Sequence, residues 1–252
     1  MKEKRQSIIL EKIKSSSKVY SSELSQEMNV SEDTIRRDLK ELSKKGLIRK
    51  VHGGAILHDT STYIPLSYEA RQNFAAGEKK IIAAKAVSLL KDDMLIFIDG
   101  GTTNLEITRQ IPANLRLTVI TNCFPIAGEL LNKKNIHTFF LGGELLSNVP
   151  ITVGTDTINL LNDINADIFF IGTRSLSVEK GLTDIDRAEV LVKRKMAEHS
   201  HKTVSVALSE KLGSIQNFNI IPISKLDMLI TELDPNHPEL DLYRNIDNLE
   251  IL

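Results

Sequence analysis

Residues 31–55 read SEDTIRRDLKELSKKGLIRKVHGGA, and this stretch decides what the first part of the chain is. Ser31 is suited to begin a helix, because its hydroxyl can accept a hydrogen bond from a backbone N–H of the first turn. Apolar residues recur at helical spacing at Ile35, Leu39 and Leu42, which predicts one buried face. The outward positions carry short polar or cationic side chains: Thr34, Arg36, Arg37, Lys40 and Lys44.

The residues after this helix predict a short pair of strands. The helix is expected to stop at Gly46, since glycine readily adopts the left-handed conformation that ends helices. An extended apolar pattern of Leu47, Ile48 and Val51 follows, and Arg49, Lys50 and His52 alternate with it. Such a strand pair, or wing, would place its cations against the phosphates of DNA. An amphipathic surface helix with solvated charges is the alternative interpretation of the whole stretch.

Two segments before Ser31 predict partner helices and favour the DNA-binding interpretation. Residues 6–13 carry Ile8, Ile9 and Ile13 at helical spacing, and a second helix is expected from Ser21 to about Met28. A short helix, a tight turn and a basic helix form a helix-turn-helix, whose second helix enters the major groove of double-stranded DNA. The predicted DNA-binding residues are Ser31, Thr34, Arg36, Arg37, Lys40, Arg49, Lys50 and His52.

Charge is distributed unevenly along the 252 residues, although the net charge is only −1. Residues 1–58 hold 13 Lys and Arg against 8 Asp and Glu, whereas the remainder holds 19 against 25. A basic first part joined to an acidic remainder is typical of a DNA-binding module attached to another domain. The chain has a single cysteine, Cys123, which excludes an intrachain disulfide and suits a buried apolar position.

The sequence favours a soluble, cytoplasmic protein with no membrane partner. No segment approaches the roughly 20 apolar residues of a membrane-spanning helix, and the N terminus is too charged for a signal peptide. His199 and His201 have a spacing that could bind a metal from an extended segment, but no further ligand accompanies them. We therefore expect neither a metal site nor a cofactor.

The chain is expected to form two domains, a small α+β winged helix-turn-helix and an α/β domain with a largely parallel sheet. Their predicted bounds are 1–57 and 78–252, with a linker at 58–77 that lacks clear periodicity. Beyond the linker, apolar β-branched runs alternate with helical stretches, which predicts repeated βα units. The expected strands are Met94–Ile98, Leu117–Ile120, Ile136–Leu141, Ile168–Ile171, Val204–Leu208 and Met228–Ile230.

The best candidate binding site of the second domain is the turn after the first of these strands. Asp99, Gly100, Gly101, Thr102 and Thr103 lead from the strand into a helix, and free N–H groups at a helix start suit a phosphate or carboxylate. A tight βα turn without a ligand is an equally ordinary interpretation. Ligands of open α/β sheets lie beyond the carboxyl ends of the strands. Other polar or glycine positions expected there are Thr121, Asn122, Gly142, Gly143, Arg174 and Lys211.

The chain resembles the DeoR family of bacterial transcription regulators. In the first domain the resemblance lies in Thr34–Leu39, TIRRDL, and in His52–Ala55, HGGA. Residues 75–252 resemble the sensor domain of that family, whose fold is similar to ribose-5-phosphate isomerase. The matching positions are Asp99–Thr103, Thr121-Asn122, Leu141–Glu144, Val153-Gly154, Gly172, Gly181–Asp184, Glu189, Val192–Arg194 and Lys211–Gly213. The resemblance implies a repressor of a sugar or polyol operon that a phosphorylated sugar relieves.

This chain departs from the family pattern near the predicted ligand. Small residues are usual where Thr173 and Arg174 stand, glutamate is common at Leu191, and aspartate is usual at Leu208. Arg174 is expected at the surface, because arginine is rarely buried unpaired. If it points inward instead, its guanidinium would bind a second anionic group. The effector would then be a sugar bisphosphate or a phosphorylated sugar acid.

Two further expectations concern function. One short recognition helix reads only a few base pairs, so we expect a homo-oligomer, dimer or tetramer, on repeated half-sites. The competing hypothesis is an enzyme, a sugar-phosphate isomerase with a DNA-binding head, whose acid–base residues would come from Asp184, Asp186, Glu189 and Lys193. We favour the simpler interpretation, in which these residues form a loop and a helix with Glu189 and Lys193 paired at i, i+4, and therefore predict no enzymatic activity.

Overall fold

The computed structural model describes residues 2–16, 18–44, 48–57, 68–146 and 149–252. Two compact units divide the chain, Met1–Leu66 and Ser67–Leu252. No helix among these residues is both long enough and apolar enough to cross a membrane.

The first unit is a three-helix head with a small sheet. Its helices are α1 (Lys2–Ser16), α2 (Ser21–Glu27) and α3 (Glu32–Lys44), and its strands are β1 (Lys18–Tyr20), β2 (Ile48–Val51) and β3 (Gly54–Leu57). The three strands form an antiparallel sheet in the order β1-β3-β2. The predicted wing is the β2–β3 pair. β1 was not predicted, because three residues are too few to show an alternating pattern.

The helix predicted from Ser31 is α3, and its apolar face is buried as expected. Ile35, Leu39 and Leu42 are at most 1% exposed and pack in one cluster with Ile9 and Ile13 of α1. Ile8, which was expected on the same face of α1, is exposed instead. Ser31 caps α3, since its Oγ accepts a hydrogen bond from the N–H of Thr34 at 3.3 Å. The predicted stop at Gly46 lies outside the described residues.

Asp38 joins α3 to α1 by polar contacts. Its side chain is buried and accepts hydrogen bonds from Arg5 Nε at 2.5 Å and Gln6 Nε2 at 3.3 Å. Gln6 also donates to Glu41, one turn further along α3. A buried carboxylate needs such partners to offset the loss of water. Asp38, the fifth residue of the TIRRDL motif, therefore positions α3 rather than facing outward.

The second unit contains seven helices among the described residues. They are α4 (Tyr68–Asn73), α5 (Ala76–Val87), α6 (Thr102–Gln110), α7 (Phe124–Leu130), α8 (Thr155–Asn159), α9 (Arg187–Glu198) and α10 (Asp241–Arg244). α4 lies where the sequence predicted an irregular linker. Its residue Tyr68 is buried, and Lys79 Nζ donates hydrogen bonds to the carbonyls of Arg71 and Phe74. Residues 68–77 thus fold with the second unit, for reasons of tertiary contact that periodicity does not show.

The strands of the second unit form one large parallel sheet and two small antiparallel ones. Those of the large sheet are β4 (Met94–Ile98), β5 (Leu117–Thr121), β6 (Ile136–Phe140), β9 (Ala166–Gly172), β12 (Ser200–Val206), β14 (Met228–Ile230) and β15 (Glu250–Ile251). Their order is β15-β14-β12-β9-β4-β5-β6, and every pairing is parallel. The six strands predicted from apolar runs are all present, and the α/β fold class is confirmed.

The small sheets were not predicted. β10 (Ser175–Ser177), β11 (Gly181–Asp184) and β13 (Phe218–Ile221) form one, and β7 (Glu144–Leu145) pairs with β8 (Thr152–Val153) in the other. β10 begins three residues after the end of β9, and β11 ends at Asp184. This sheet therefore extends from the carboxyl end of β9, where the predicted site lies.

Gly172 marks the closest approach between β9 and the turn after β4. A Cβ atom at this position would lie 2.7 Å from the carbonyl oxygen of Gly100 and 3.0 Å from Asp99 Oδ1. Both distances are shorter than van der Waals contact, and the first neighbour is backbone that cannot move aside cheaply. Only a residue without a side chain fits here.

We predict that Gly172→Ala destabilises the second unit by about 1–3 kcal/mol, as expected for inserting a methyl group into a packed interior. Gly128→Ala in α7 is the matched control, because nothing lies within 4 Å of its added Cβ and alanine favours a helix. Urea denaturation of the full chain measures both variants. Equal stability of the two variants would contradict the close approach.

Candidate functional sites

The outward surface of α3 carries the cations that the sequence assigned to DNA. Arg36, Arg37 and Lys40 are exposed, and Thr34 is half-buried. Arg36 lies 2.9 Å from Glu32 and Arg37 lies 2.7 Å from Asp33, both as i, i+4 ion pairs. Exposed pairs of this kind contribute about 0.3–0.5 kcal/mol, so a phosphate or a guanine edge competes with them easily.

The wing presents its polar residues at β2 and the turn that follows. Lys50 and His52 are exposed, whereas the side chain of Arg49 lies outside the described residues. Gly53 has φ +73°, and a Cβ on Gly54 would lie 1.9 Å from the carbonyl oxygen of Val19 in β1. The two glycines of HGGA therefore turn the wing and allow β3 to pair with β1.

In the second unit, the turn after β4 leads directly into α6. Gly101 is the N-cap residue of the helix and, as a glycine, has no side chain to cap it. Thr102 is half-buried and Thr103 is buried in its first turn. The added Cβ of Gly101 would make only ordinary contacts, at 3.8 Å to Gly172 and 3.9 Å to Asn104, whereas that of Gly100 would lie 2.3 Å from Ile151. A side chain at position 100 would therefore clash with Ile151, whereas position 101 has room for one.

Asp99 is held rigidly beneath this turn. It is 1% exposed, and its Oδ1 accepts hydrogen bonds from Asn104 Nδ2 and from the N–H of Gly172, both at 2.6 Å. Its Oδ2 has no hydrogen-bond partner among the described side chains and lies 3.7 Å from Lys193 Nζ. Burial raises the pKa of Asp99 to about 7, against the attraction of Lys193.

Lys193 stands at the centre of a buried ionic cluster. Its Nζ lies 2.7 Å from Asp184 Oδ2 and 2.7 Å from Glu189 Oε1, and its side chain is 3% exposed. The predicted i, i+4 pairing of Glu189 with Lys193 is confirmed, but the pair lies inside the unit and belongs to the site. Asp186, the remaining acid of this group, caps α9 by accepting from Ala188 and Glu189 N–H.

The charges of this cluster respond to burial and to one another. Burial opposes ionisation of Asp184, but the ammonium of Lys193 outweighs it and lowers the pKa of Asp184. Burial raises the pKa of Glu189. Burial would lower the pKa of Lys193, yet Asp184, Glu189 and Asp99 raise it well above its usual value. Lys193 is therefore a permanent cation.

The predicted residues after β5 and β6 have mainly structural contacts. Thr121 is buried and its Oγ1 accepts from the N–H of Cys123, which is itself fully buried as expected. Asn122 Nδ2 donates to the carbonyl of Thr152 at 2.7 Å, whereas its buried Oδ1 has no partner among the residues described.

Gly142 and Gly143, which follow β6, contact α8. The carbonyl of Gly142 accepts from Thr157 Oγ1 at 2.7 Å. Gly143 has φ +144°, and a Cβ there would lie 2.0 Å from the same Thr157 Oγ1. The contacts of these glycines are thus with the β7–β8 hairpin and α8, not with the Asp99 group.

The expectation that Arg174 lies at the surface is wrong. The residue is only 8% exposed, because it follows β9 directly and is covered where the chain enters β10. Lys211, in a 3₁₀ turn after β12, donates a hydrogen bond from Nζ to the carbonyl of Thr173, the neighbouring residue. Burial lowers the pKa of Lys211 to about 7, and the nearby cations Arg71, Lys79 and Arg174 lower it further.

Several residues of this site were not predicted from the sequence. Asp184, Glu189 and Lys193 were quoted as motif members or as possible acid–base residues, and none was placed at the site. Asn104 was not among the predicted site residues. Arg71 and Lys79 were assigned to a linker or to an ordinary helix. Burial lowers the pKa of Lys79 to about 8, with Arg71 as the next cause. A buried lysine cannot be recognised from sequence when its neighbours are equally polar.

We call the group of Asp99–Thr103, Gly172–Arg174, Lys193 and Lys211 the carboxyl edge, since its members follow strands β4, β9 and β12 or pack against them. Hydrogen bonds and ion pairs link these residues into one place. An anion could bind there to the start of α6 and to the lysine and arginine side chains. No group of three His, Cys, Asp or Glu with metal-binding geometry occurs in the described ranges.

Two family models match the chain, one for each unit. The model described as DeoR-like helix-turn-helix domain matches residues 5–61, and the model described as DeoR C terminal sensor domain matches residues 75–233.

Among curated proteins, the chain is 33% identical over 228 residues to the HTH-type transcriptional regulator GolR of Listeria innocua, covering 90% of this chain and 89% of that protein. It is 32% identical over 240 residues to the HTH-type transcriptional repressor GlcR of Bacillus subtilis, covering 95% and 92%. It is 31% identical over 217 residues to the lactose phosphotransferase system repressor of Staphylococcus epidermidis, covering 85% of each.

Among solved structures, the chain is similar to ribose 5-phosphate isomerase A from Methanocaldococcus jannaschii, at 19% identity and a TM-score of 0.38, covering 53% of each chain. At this TM-score the likeness does not bear on the function of the chain.

We predict that Lys193→Met destabilises the second unit by about 3–5 kcal/mol, because Asp184 and Glu189 are left buried without a cation. The control is Arg116→Ala, which removes an exposed pair with Asp93 and is expected to cause no measurable change. Denaturant titration of the full chain gives both values. A Lys193 variant as stable as the control would show that the cluster does not hold the unit together.

Proposed function

The chain belongs to the DeoR family of transcriptional regulators, and from this premise we propose that it represses an operon for the use of a sugar or polyol and that a phosphorylated sugar relieves repression. The family favours a regulator over the sugar-phosphate isomerase considered from the sequence. One relative is named a repressor of the lactose phosphotransferase system, which supports a sugar-linked target. The observation that carries the proposal is an exposed basic helix on one unit and a buried, cationic carboxyl edge on the other.

The proposed DNA-binding domain is residues 1–57. Arg36 and Arg37 contact base edges from the major groove, with Ser31, Thr34 and Lys40 beside them, because these residues lie at the start and on the outward face of α3. Arg49, Lys50 and His52 contact phosphates from the wing. Both arginines are exposed, and among the described residues they pair only within their own helix, which leaves them available to DNA.

The protein acts as a homo-oligomer in this proposal. A single α3 reads too few base pairs to select one operator among the sites of a genome, and two heads on repeated half-sites supply the missing discrimination. The predicted linker at 58–77, of which residues 68–77 fold with the second unit, connects the heads to the effector domain, 78–252. Effector binding would shift the populations of head arrangements through this connection.

The effector is an anionic sugar whose phosphate binds at the start of α6. The backbone N–H groups and hydroxyls of Gly100–Thr103 surround it, and Lys211 supplies a counter-charge. The position of Gly101 as the N-cap residue of α6 and the room for a Cβ beside it support this placement. Asp99 fixes the turn through Gly172 and Asn104, and Thr121, Asn122, Gly142 and Gly143 border the neighbouring strands. Arg174 lies beside Lys211 at the same edge.

For the DNA-binding surface, we predict that Arg36→Ala or Arg37→Ala lowers the preference for the operator over random DNA by roughly 1–3 kcal/mol, the value of one bidentate arginine–guanine contact. Lys50→Ala should instead weaken binding to all sequences alike and reduce the log–log salt slope by about 1. Fluorescence anisotropy with DNA selected in vitro by the purified protein measures both.

The assignment of α3 to the major groove would be wrong if the two arginine variants, singly and together, kept the operator preference of the parent protein. A change of base preference in the Lys50 variant at constant salt slope would contradict the phosphate role of the wing.

For the effector site, we predict that Gly101→Leu yields a protein that binds DNA normally but no longer binds a phosphorylated sugar. The backbone at Gly101 is extended and its added Cβ has room, so the fold tolerates the change while the larger side chain covers the start of α6. Gly128→Ala is the control, and calorimetry with sugar phosphates gives the affinity. Unchanged affinity in the Gly101 variant places the phosphate elsewhere.

A further inference from the structure

Arg174 is a buried cation without a partner among the described residues. It is 8% exposed, its buried Nε makes no hydrogen bond, and no carboxylate of the described residues forms an ion pair with its guanidinium. Burial removes water from the charged guanidinium, and no group of the described residues takes the place of that water. Since arginine is almost never fully buried unless it is paired, the missing partner points to a ligand.

The two carboxylates that attract Arg174 already form ion pairs with another cation. Asp184 and Glu189 attract Arg174 at a distance, but both contact Lys193 Nζ at 2.7 Å. Arg71 and Lys211 are cations close enough to repel Arg174, and Lys211 bonds to its neighbour Thr173. Burial, and then Arg71, lower the pKa of Arg174. Three cations therefore repel one another around Arg174. An anion bound there would reduce this repulsion and would compensate for the water that Arg174 has lost.

The position of Arg174 fits the reach of a single small ligand. A Cβ atom added to Gly101, at the start of α6, would lie 3.8 Å from the Cα of Gly172. Arg174 is two residues further along, so its Cα lies at most about 7 Å from that of Gly172. The backbone of Arg174 is thus close enough to the start of α6 for one small ligand to span both places.

We propose that Arg174 binds a second anionic group of the effector, so that this protein responds to a sugar with two anionic ends. The inference rests on the proposed function, because it takes the first phosphate to bind at Gly100–Thr103. The planar guanidinium donates two parallel hydrogen bonds to a phosphate or a carboxylate, which a lysine cannot do. The ligand class is therefore a sugar bisphosphate or a phosphorylated sugar acid, which share this second anion.

The test is isothermal titration calorimetry of the full chain with three probes at one pH and salt concentration. The probes are fructose 6-phosphate, fructose 1,6-bisphosphate and 6-phosphogluconate. The parent protein is expected to bind at least one of the two doubly anionic probes more than tenfold more tightly than the monophosphate, a difference of about 1.4 kcal/mol. The preferred probe identifies the second group as phosphate or carboxylate.

The decisive variant is Arg174→Gln, which keeps much of the side-chain length and removes the charge. It should abolish the preference for the doubly anionic probe and leave monophosphate affinity within about threefold. Arg116→Gln is the control, because this arginine is exposed and precedes β5, at the opposite end of the parallel strands. It should retain the full preference.

Three results would overturn the inference. They are an absent preference in the parent protein, an unchanged preference in Arg174→Gln, and an equal loss of all three probes in that variant. If Arg174→Gln does not fold by circular dichroism, Arg174→Lys replaces it, and the preference is then expected to fall at least threefold; an unchanged preference would again overturn the inference. Failure of the proposed function is distinct, since it would appear as no binding of any sugar phosphate by the parent protein.

Discussion

The ammonium group of Lys193 holds together the segments at the carboxyl ends of strands β4, β9 and β11 in the second unit. From α9 it reaches Asp184 at the end of β11, Glu189 one turn earlier on its own helix, and Asp99 after β4. Asp99 in turn bonds the backbone of Gly172 at the end of β9. One buried cation therefore fixes the relative positions of two strands of the large sheet, one strand of the small sheet and a helix. The turn into α6 and the segment holding Arg174 are built on this arrangement.

The balance of charge around that cation explains why the edge suits an anionic ligand. Asp184 and Glu189 form their ion pairs with Lys193 and attract Arg174 only from a greater distance, so they do not supply its missing hydrogen-bond partner. Arg174 is buried without an ion pair among the described residues. Lys211 donates a hydrogen bond to the Thr173 carbonyl and is repelled by other cations. An anion entering here gains hydrogen bonds and reduces repulsion at once, and both effects contribute to its affinity.

Much of this fold could be predicted from sequence, because its main elements show their own period. The run Met94–Ile98 is apolar throughout, as a strand covered on both faces should be, and α3 shows its buried face as Ile35, Leu39 and Leu42. The small sheet of β10, β11 and β13 escaped prediction because its strands have only three or four residues and because β11 pairs with β13 across a long sequence separation. Lys193 escaped for another reason: an i, i+4 pair with Glu189 has the same pattern on a solvated helix as in a buried cluster. The exposure expected for Arg174 followed from a rule about unpaired arginines, and the structure departs from that rule at the predicted site, where a ligand would supply the partner.

The central claim is that a DNA-binding head is controlled by an anion bound at the carboxyl edge. The most direct measurement is fluorescence anisotropy of the unaltered protein on its selected DNA, titrated with sugar phosphates and, in parallel, with the same sugars lacking phosphate. The account predicts that at least one phosphorylated sugar changes DNA affinity and that its neutral parent does not at the same concentration. A response to neutral sugars alone, or equal responses to both forms, would contradict it.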